Sequence, residues 1–196
     1  MLNIHTLTLG TYGTNCYIIH DSASKTCCVI DPGYTPEKIL DEVNALGLTV
    51  EAILLTHGHF DHVGGVKEIA AETGCDVYLC ADELTLPPQI TAGQLYYTKT
   101  YGEGDTLHLA GLTISVIRTP GHTPGSVCLL ISDAMFSGDT LFAGSCGRTD
   151  LPGGSGAAMR ASLRRLAGLS ADYRVYPGHD MDTTLAEEKR YNPYLR

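Results

Sequence analysis

The sequence predicts a mixed α/β sandwich with parallel character, on three observations. Its first half reads as a β-meander followed by a β-loop-α-β unit. Its second half repeats the theme. Four His or Asp residues, His57, His122, Asp139 and His179, each stand just past the C-terminal end of a predicted strand, in or beside a Gly/Pro turn. Loops at strand C-termini gather along one edge of such a fold, and that edge is where it places ligands.

The elements follow from the local pattern. Residues 2–9 alternate apolar side chains with Thr and suit a strand. Residues 15–20 and 26–30 are β-rich runs around a polar turn, which makes a hairpin. Thr35 and Pro36 then predict a helix start as N-cap and first helical residue. Ile39, Leu40, Val43 and Leu46 form its apolar stripe and Gly47 its stop. Residues 50–55 read as a buried strand, 63–73 as a helix stopped by Gly74, and 77–80 as a strand. The stretch 81–105, broken by Pro87, Pro88, Gly93, Gly102 and Gly104, reads as a surface connection or a substrate-contacting rim. A hairpin over 106–109 and 112–118 follows, then a turn-rich loop at 119–125 and strands at 126–131 and 135–137. A Gly-rich loop at 143–156 leads to a helix at 157–166, a strand at 173–176 and a helix at 182–190, ended by Asn192-Pro193.

Composition narrows the function. A chain of 196 residues fits one domain, 1–196, large enough to bury a core without staples. The net charge of −9 and the absence of a Lys/Arg run argue against nucleic-acid binding; Arg160, Arg164 and Arg165 share one predicted helix. The first ten residues lack the features of a targeting segment, and no apolar run is long enough to span a membrane. Seven Cys without a C-x-x-C pair suggest a reducing cytoplasm, with Cys as small core residues. The expected partner is therefore a small-molecule substrate, and composition leaves the oligomeric state open.

Residues 56–62 read Thr-His-Gly-His-Phe-Asp-His. With eight His in the chain, H-x-H-x-D-H arises by accident in only about one such chain in a thousand. A His-rich solvated loop is the plain alternative. Neutral imidazole and carboxylate packed this tightly are good donors to a dipositive metal ion. His122, Asp139 and His179 can converge on this loop, making seven N/O donors. That is too many for one ion but suits two that share a carboxylate and a solvent oxygen. With no Cys in the set, Zn, Fe and Mn are all compatible, and Zn is the expected metal. His5, His20 and His108 fall in or beside strands and read as structural or exposed.

These motifs resemble the metallo-β-lactamase superfamily: V-I-D-P-G ending at Gly33, T-H-G-H-F-D-H at 56–62, T-P-G-H-T-P-G-S at 119–126, S-G-D at 137–139 and P-G-H at 177–179. Within it the chain looks most like the short bacterial form of the glyoxalase II (hydroxyacylglutathione hydrolase) group, through G-R-T-D-L-P-G-G at 147–154 and N-P-Y-L at 192–195. The resemblance implies a four-layer αββα sandwich. It implies one metal on His57, His59 and His122, a second on Asp61, His62 and His179, and Asp139 bridging them together with a water or hydroxide. It places Asp31 behind the ligands as a hydrogen-bonding support. The implied reaction is attack of that hydroxide on an acyl carbonyl, with a thiolate as leaving group. Asp61 would also orient the nucleophile, alongside His62.

Substrate contacts are expected at Arg148, whose guanidinium suits a carboxylate unless it pins its own loop through Asp150, and more weakly at Tyr97 and Lys99. The chain ends about where the sandwich ends, so the helical region with which full-length glyoxalase II holds glutathione is not expected. The main rival is a persulfide dioxygenase, similar at C-G-R-T-D (146–150) but using one iron on two His and one Asp. A lactonase and a non-enzymatic metal-binding module are further alternatives. A secreted β-lactamase is disfavoured, because Asp139 stands where the best-known lactamases use Cys.

Overall fold

The structure, a computed structural model, describes residues 1–195. Two six-stranded sheets lie face to face with helices outside them. The first sheet starts as an antiparallel meander of β1 (Leu2–Leu9), β2 (Thr14–Asp21) and β3 (Thr26–Ile30). α1 (Pro36–Ala45) crosses over to β4 (Thr49–Leu54), which runs parallel to β3. α2 (Phe60–Val63) and α3 (Val66–Thr73) lead to β5 (Asp76–Cys80), parallel to β4. A 3-10 turn (Ala81–Thr85) and a long connection end in the edge strand β6 (Lys99–Tyr101).

The second sheet is built from β7 (Thr106–Leu109), β8 (Leu112–Arg118), β9 (Val127–Ile131) and β10 (Ala134–Gly138), all antiparallel neighbours. A two-stranded hairpin, β11 (Leu141–Phe142) and β12 (Ser145–Cys146), precedes α4 (Gly156–Ala167). β13 (Arg174–Pro177) returns parallel to β10, β14 (Thr183–Thr184) pairs with it, and α5 (Leu185–Tyr191) follows.

Strand alternation divides the core into three layers. On β3, Cys28 and Ile30 face the other sheet, while Cys27 and Val29 face α1 and α3. That is why residues 26–30 read as continuously apolar: both faces are covered. Phe136 is fully buried between the sheets, with its ring centroid 5.1 Å from Tyr17 and 5.2 Å from Tyr176. Behind the second sheet, Met159, Leu163 and Leu166 of α4 pack on Met135 and Val175. The cysteines are all free, and only Cys146 is less than buried. Among the described residues, no helix is long and apolar enough to cross a membrane.

Several elements differ from the sequence expectation. The helix expected over 63–73 breaks at Gly64-Gly65, and its first turn starts earlier, at Phe60. The break is a close backbone approach: a Cβ on Gly64 would stand 2.2 Å from the Gly33 carbonyl oxygen, and Gly65 N donates to Pro32 O at 2.8 Å. Thr35 stands at the N-cap position of α1, but with φ 46° and no side-chain cap bond. The helix expected from 182 begins at Leu185, because Thr183–Thr184 pair with β13 and the Thr184 hydroxyl caps Glu187 N. β6 and the β11–β12 hairpin lie in stretches expected to be irregular; two or three residues are too few to show a period.

Phe136→Ala should lower the unfolding free energy by about 3–5 kcal/mol, the usual cost of emptying a fully buried aromatic site. Urea denaturation checks this, with the m-value unchanged.

Candidate metal centre

The C-terminal ends of β4, β8, β10 and β13 meet at one edge of the sandwich, and the loops that follow them carry His57, His122, Asp139 and His179. The first loop is tied down from below. Asp31, at the end of β3, accepts Thr56 N at 2.8 Å on Oδ1, and the Thr56 hydroxyl at 2.5 Å and His62 Nδ1 at 3.0 Å on Oδ2. The Thr56 hydroxyl has one proton and gives it to Asp31. His57 Nδ1, 3.1 Å from the same oxygen, must therefore donate to it, which leaves His57 Nε2 a bare acceptor. In the same way His122 Nδ1 donates to Arg148 O at 2.8 Å and His179 Nδ1 to Tyr12 O at 3.1 Å. Their Nε2 atoms point into the cleft.

Two groups result. Donor atoms of His57, His59 and His122 lie within 4.8 Å of one another, and so do those of Asp61, His62 and His179. Asp139 stands between them: Oδ2 is 3.4 Å from His122 Nε2 and 3.5 Å from His179 Nε2, and Oδ1 is 3.4 Å from His62 Nε2. Asp31, His57 and His62 form a third group by distance alone, but the Asp31 oxygens are occupied by Thr56 and His62 Nδ1. The backbone also yields room. A Cβ on Gly178 would stand 2.2 Å from Asp139 Oδ1 and 2.7 Å from His62 Cε1, so only glycine lets the Pro177–His179 turn come this close.

The donor set fits divalent cations. His57 Nε2, His59 Nε2 and Asp139 Oδ1 are buried without a hydrogen-bond partner, a state that costs about 1–3 kcal/mol per group unless something else binds there. His122 Nε2 and His59 Nδ1 are 2.8 Å apart, and His62 Nε2 and His179 Nε2 are 3.3 Å apart. Ring nitrogens this close must share a proton or a cation.

Protons are held unevenly among these groups. Burial, then its imidazole neighbours His62 and His59, pushes His57 well below the ordinary histidine value, and burial and His122 bring His59 to about 4. Burial would lower His62 too, but Asp139, the Asp31 hydrogen bond and Asp61 outweigh it and raise it. His179 is carried against burial to about 10 by Asp139 and Asp61. Burial would raise the two carboxyls, yet both are depressed: Asp139 by His62 and His179, Asp61 by the His179 hydrogen bond and His62.

A cavity of about 460 Å³ opens above the centre. Tyr12, Phe60, Ile90, Phe142 and Leu151 wall it, with Gln89 and Arg148 as its polar members away from the His/Asp floor. Of the expected substrate contacts, only Arg148 lines this cavity, and its guanidinium is engaged bidentately by Asp150 at 2.7 and 2.8 Å. Tyr97 borders a separate cavity with Leu84, Leu86 and Pro88, and Lys99 pairs with Asp76 at 2.6 Å on β6. Neither reaches the centre, because β6 runs at the far edge of the first sheet. A further cavity of about 500 Å³, along β1 and β13, holds none of the seven donors.

Apart from Ile90, which lies in the 81–105 stretch read as a surface connection or a substrate-contacting rim, the apolar wall escaped the sequence reading. Its one local signal is Phe60, the lone apolar residue inside the His loop. The rest comes from distant segments. Phe142 is set by the C-terminal helix: Glu188 accepts Gly144 N at 2.8 Å, and Asn192 Nδ2 donates to Ser145 O at 2.9 Å. That is the structural use of the Asn in N-P-Y-L.

Comparison with known proteins gives concordant results. The family model of the metallo-beta-lactamase superfamily matches residues 9–179. A Haemophilus influenzae protein named hydroxyacylglutathione hydrolase GloC is 32% identical over 209 residues, with 99% of this chain and 98% of that protein covered. The crystal structure of TTHA1623 in a di-iron-bound form superposes with a TM-score of 0.87 at 39% identity, covering 97% of this chain and 100% of that one. That of the BLEG-1 B3 metallo-beta-lactamase gives 0.90 at 32% identity, covering 100% and 99%.

His179, raised to about 10 by Asp139 and Asp61, holds a proton at pH 7 when no cation is bound, so loading a divalent ion there must expel it. Calorimetric zinc titrations in buffers of different ionisation enthalpy should show net proton release and an affinity that falls as pH is lowered. Binding with no proton release contradicts the charge assignment. Asn192→Ala should unfasten the β11–β12 hairpin and lower zinc affinity little, which the same titration measures.

Proposed function

Because the chain belongs to the metallo-β-lactamase superfamily, we propose that it is a metal-dependent hydrolase that cleaves a thioester of the hydroxyacylglutathione type. The position of Asp139 carries this reading: one carboxylate within 3.5 Å of donors from both triads suits a pair of ions rather than one. His57, His59 and His122 would hold the first ion, and Asp61, His62 and His179 the second, with Asp139 offering an oxygen to each. Zinc is the proposed metal, and the di-iron form of TTHA1623 makes iron the alternative. Two such ions would supply a water acidic enough to ionise near neutral pH and a Lewis acid for the acyl oxygen.

The protein's own groups do the rest. Asp61, whose Oδ2 accepts the Thr14 hydroxyl at 3.3 Å, orients the attacking water as hydrogen-bond acceptor. His62, tethered through Nδ1 to Asp31, keeps Nε2 turned to the same place. Tyr12, Phe60, Ile90, Phe142 and Leu151 take the acyl part of the substrate and exclude bulk water. No general acid is needed, since a thiolate leaves unprotonated. Arg148 remains the cation available to a substrate carboxylate, in exchange for Asp150. The Haemophilus protein's name supports the substrate, and the near-complete mutual coverage supports a shared architecture. The proposed setting is the cytoplasm, with a small-molecule substrate and neither nucleic acid nor membrane as partner.

Metal analysis of the purified protein should find two ions per chain, and lactoylglutathione should be hydrolysed with release of free thiol. His59→Ala should abolish turnover while far-ultraviolet circular dichroism stays native; an active variant contradicts the assignment of His59. A two-metal sample inert to thioesters but active on a β-lactam or an acyl lactone would replace the substrate and keep the centre. A single iron with oxygen uptake on glutathione persulfide would replace both.

A further inference from the structure

Glu83 lies in the 3-10 turn after β5, within the stretch that reads as a surface connection, yet its carboxylate is wholly buried. Oε2 accepts Gly58 N at 2.5 Å and Oε1 accepts Gly125 N at 2.6 Å. Gly58 separates His57 from His59, and Gly125 closes the turn that carries His122. The two loops leave different sheets, the first after β4 and the second after β8. One carboxylate therefore spans both loops that make up the His57/His59/His122 triad. Both contacts depend on glycine. A Cβ on Gly58 would stand 3.0 Å from Oε2, and one on Gly125 2.8 Å from Oε1. Charge-assisted bonds to two backbone amides are short and directional, so they fix a separation rather than merely fill space.

The other triad has separate tethers. Asp31 holds His62, while Asn15 N donates to Gly178 O at 2.8 Å and Asn15 Nδ2 donates to Pro177 O at 3.2 Å, beside His179. Glu83 touches none of these.

We propose that Glu83 is a positioning residue that sets the distance between the His57–His59 loop and the His122 loop, and so tunes the divalent-ion affinity of that triad and not of the Asp61/His62/His179 triad. This rests on reading the three imidazoles as one metal position. The discriminating variant is Glu83→Gln. It keeps the volume but has a single acceptor oxygen, so its NH2 group must face one of the two amide N–H donors. A support of this kind, when removed, weakens metal binding by about 10–100-fold.

Metal-free protein titrated with zinc, and with cobalt so that the visible bands distinguish the two positions, should show two ions per chain in wild type. In Glu83→Gln one of the two affinities should fall about 10–100-fold while the other stays unchanged. Two unchanged affinities, or an equal loss at both, overturn the proposal. A wild-type chain that binds no ion overturns the metal reading and this proposal together; a two-ion wild type matched by its variant overturns this proposal alone. Amide hydrogen exchange on the metal-free wild type covers the case of a variant that does not fold. The Gly58 and Gly125 amides should exchange slowly before any metal is added, and exchange at the rate of exposed loop amides overturns the clamp.

Discussion

Asp31 is buried at the end of β3 with φ 50°, a conformation that Asp tolerates better than most residues, and its two oxygens take three hydrogen bonds. Because β3 and β4 are parallel, their C-terminal ends coincide, and Asp31 can reach the first residues past β4 directly. It settles the backbone of Thr56, the direction of its hydroxyl and the ring plane of His62 at once. Through Thr56 it also reaches the second sheet, since Val127 N donates to Thr56 O at 3.0 Å. A buried carboxylate without partners is prohibitively costly, so the loop can take only the path that satisfies this one. The arrangement of the histidines follows from that requirement.

The second constraint is charge. Five imidazoles and two carboxylates crowd a largely buried cleft, where water screens them less than in solution. They cannot all ionise in their ordinary way. The structure resolves the conflict unevenly: burial, then neighbouring imidazoles, lowers His57 and His59, while Asp139 and Asp61 outweigh burial and raise His62 and His179. Neutral imidazoles and ionised carboxylates are the protonation states that a divalent ion requires. The proton that His179 holds is one that an ion bound there would displace.

Support for the cleft arrives from both ends of the chain. The β1–β2 turn gives Tyr12 O to His179 and Tyr12 itself to the cavity wall, where its ring meets Phe60 edge-on at 5.4 Å. The last helix holds Phe142 through Glu188 and Asn192. The outward nitrogens of His57, His62, His122 and His179 are each bonded to an oxygen, which fixes the tautomer and aims the other nitrogen inward. Tyr12 therefore serves twice: its carbonyl orients His179 and its ring walls the cavity.

The legibility of the sequence tracks the range of the physics involved. The seven donors and Asp31 were readable because each stands in a short motif of His, Asp and Gly/Pro at a strand end, a local signal. The long strands and α1 were readable because a face that must be buried imposes a period of its own. β6, the β11–β12 hairpin and the break at Gly64-Gly65 were not, since two or three residues carry no period and a backbone approach leaves no mark beyond a glycine. Tyr97 and Lys99 could be placed only once the order of strands put β6 at a far edge, and nothing local marks Glu83, whose burial depends on loops from two sheets. Amino-acid order alone thus marked the candidate cation donors and roughly where along the chain they stand. Only folding decided which of them meet, which proton each ring carries and what walls the cavity, because those depend on contacts between residues tens to more than a hundred positions apart, such as His59 with His122 and His62 with His179.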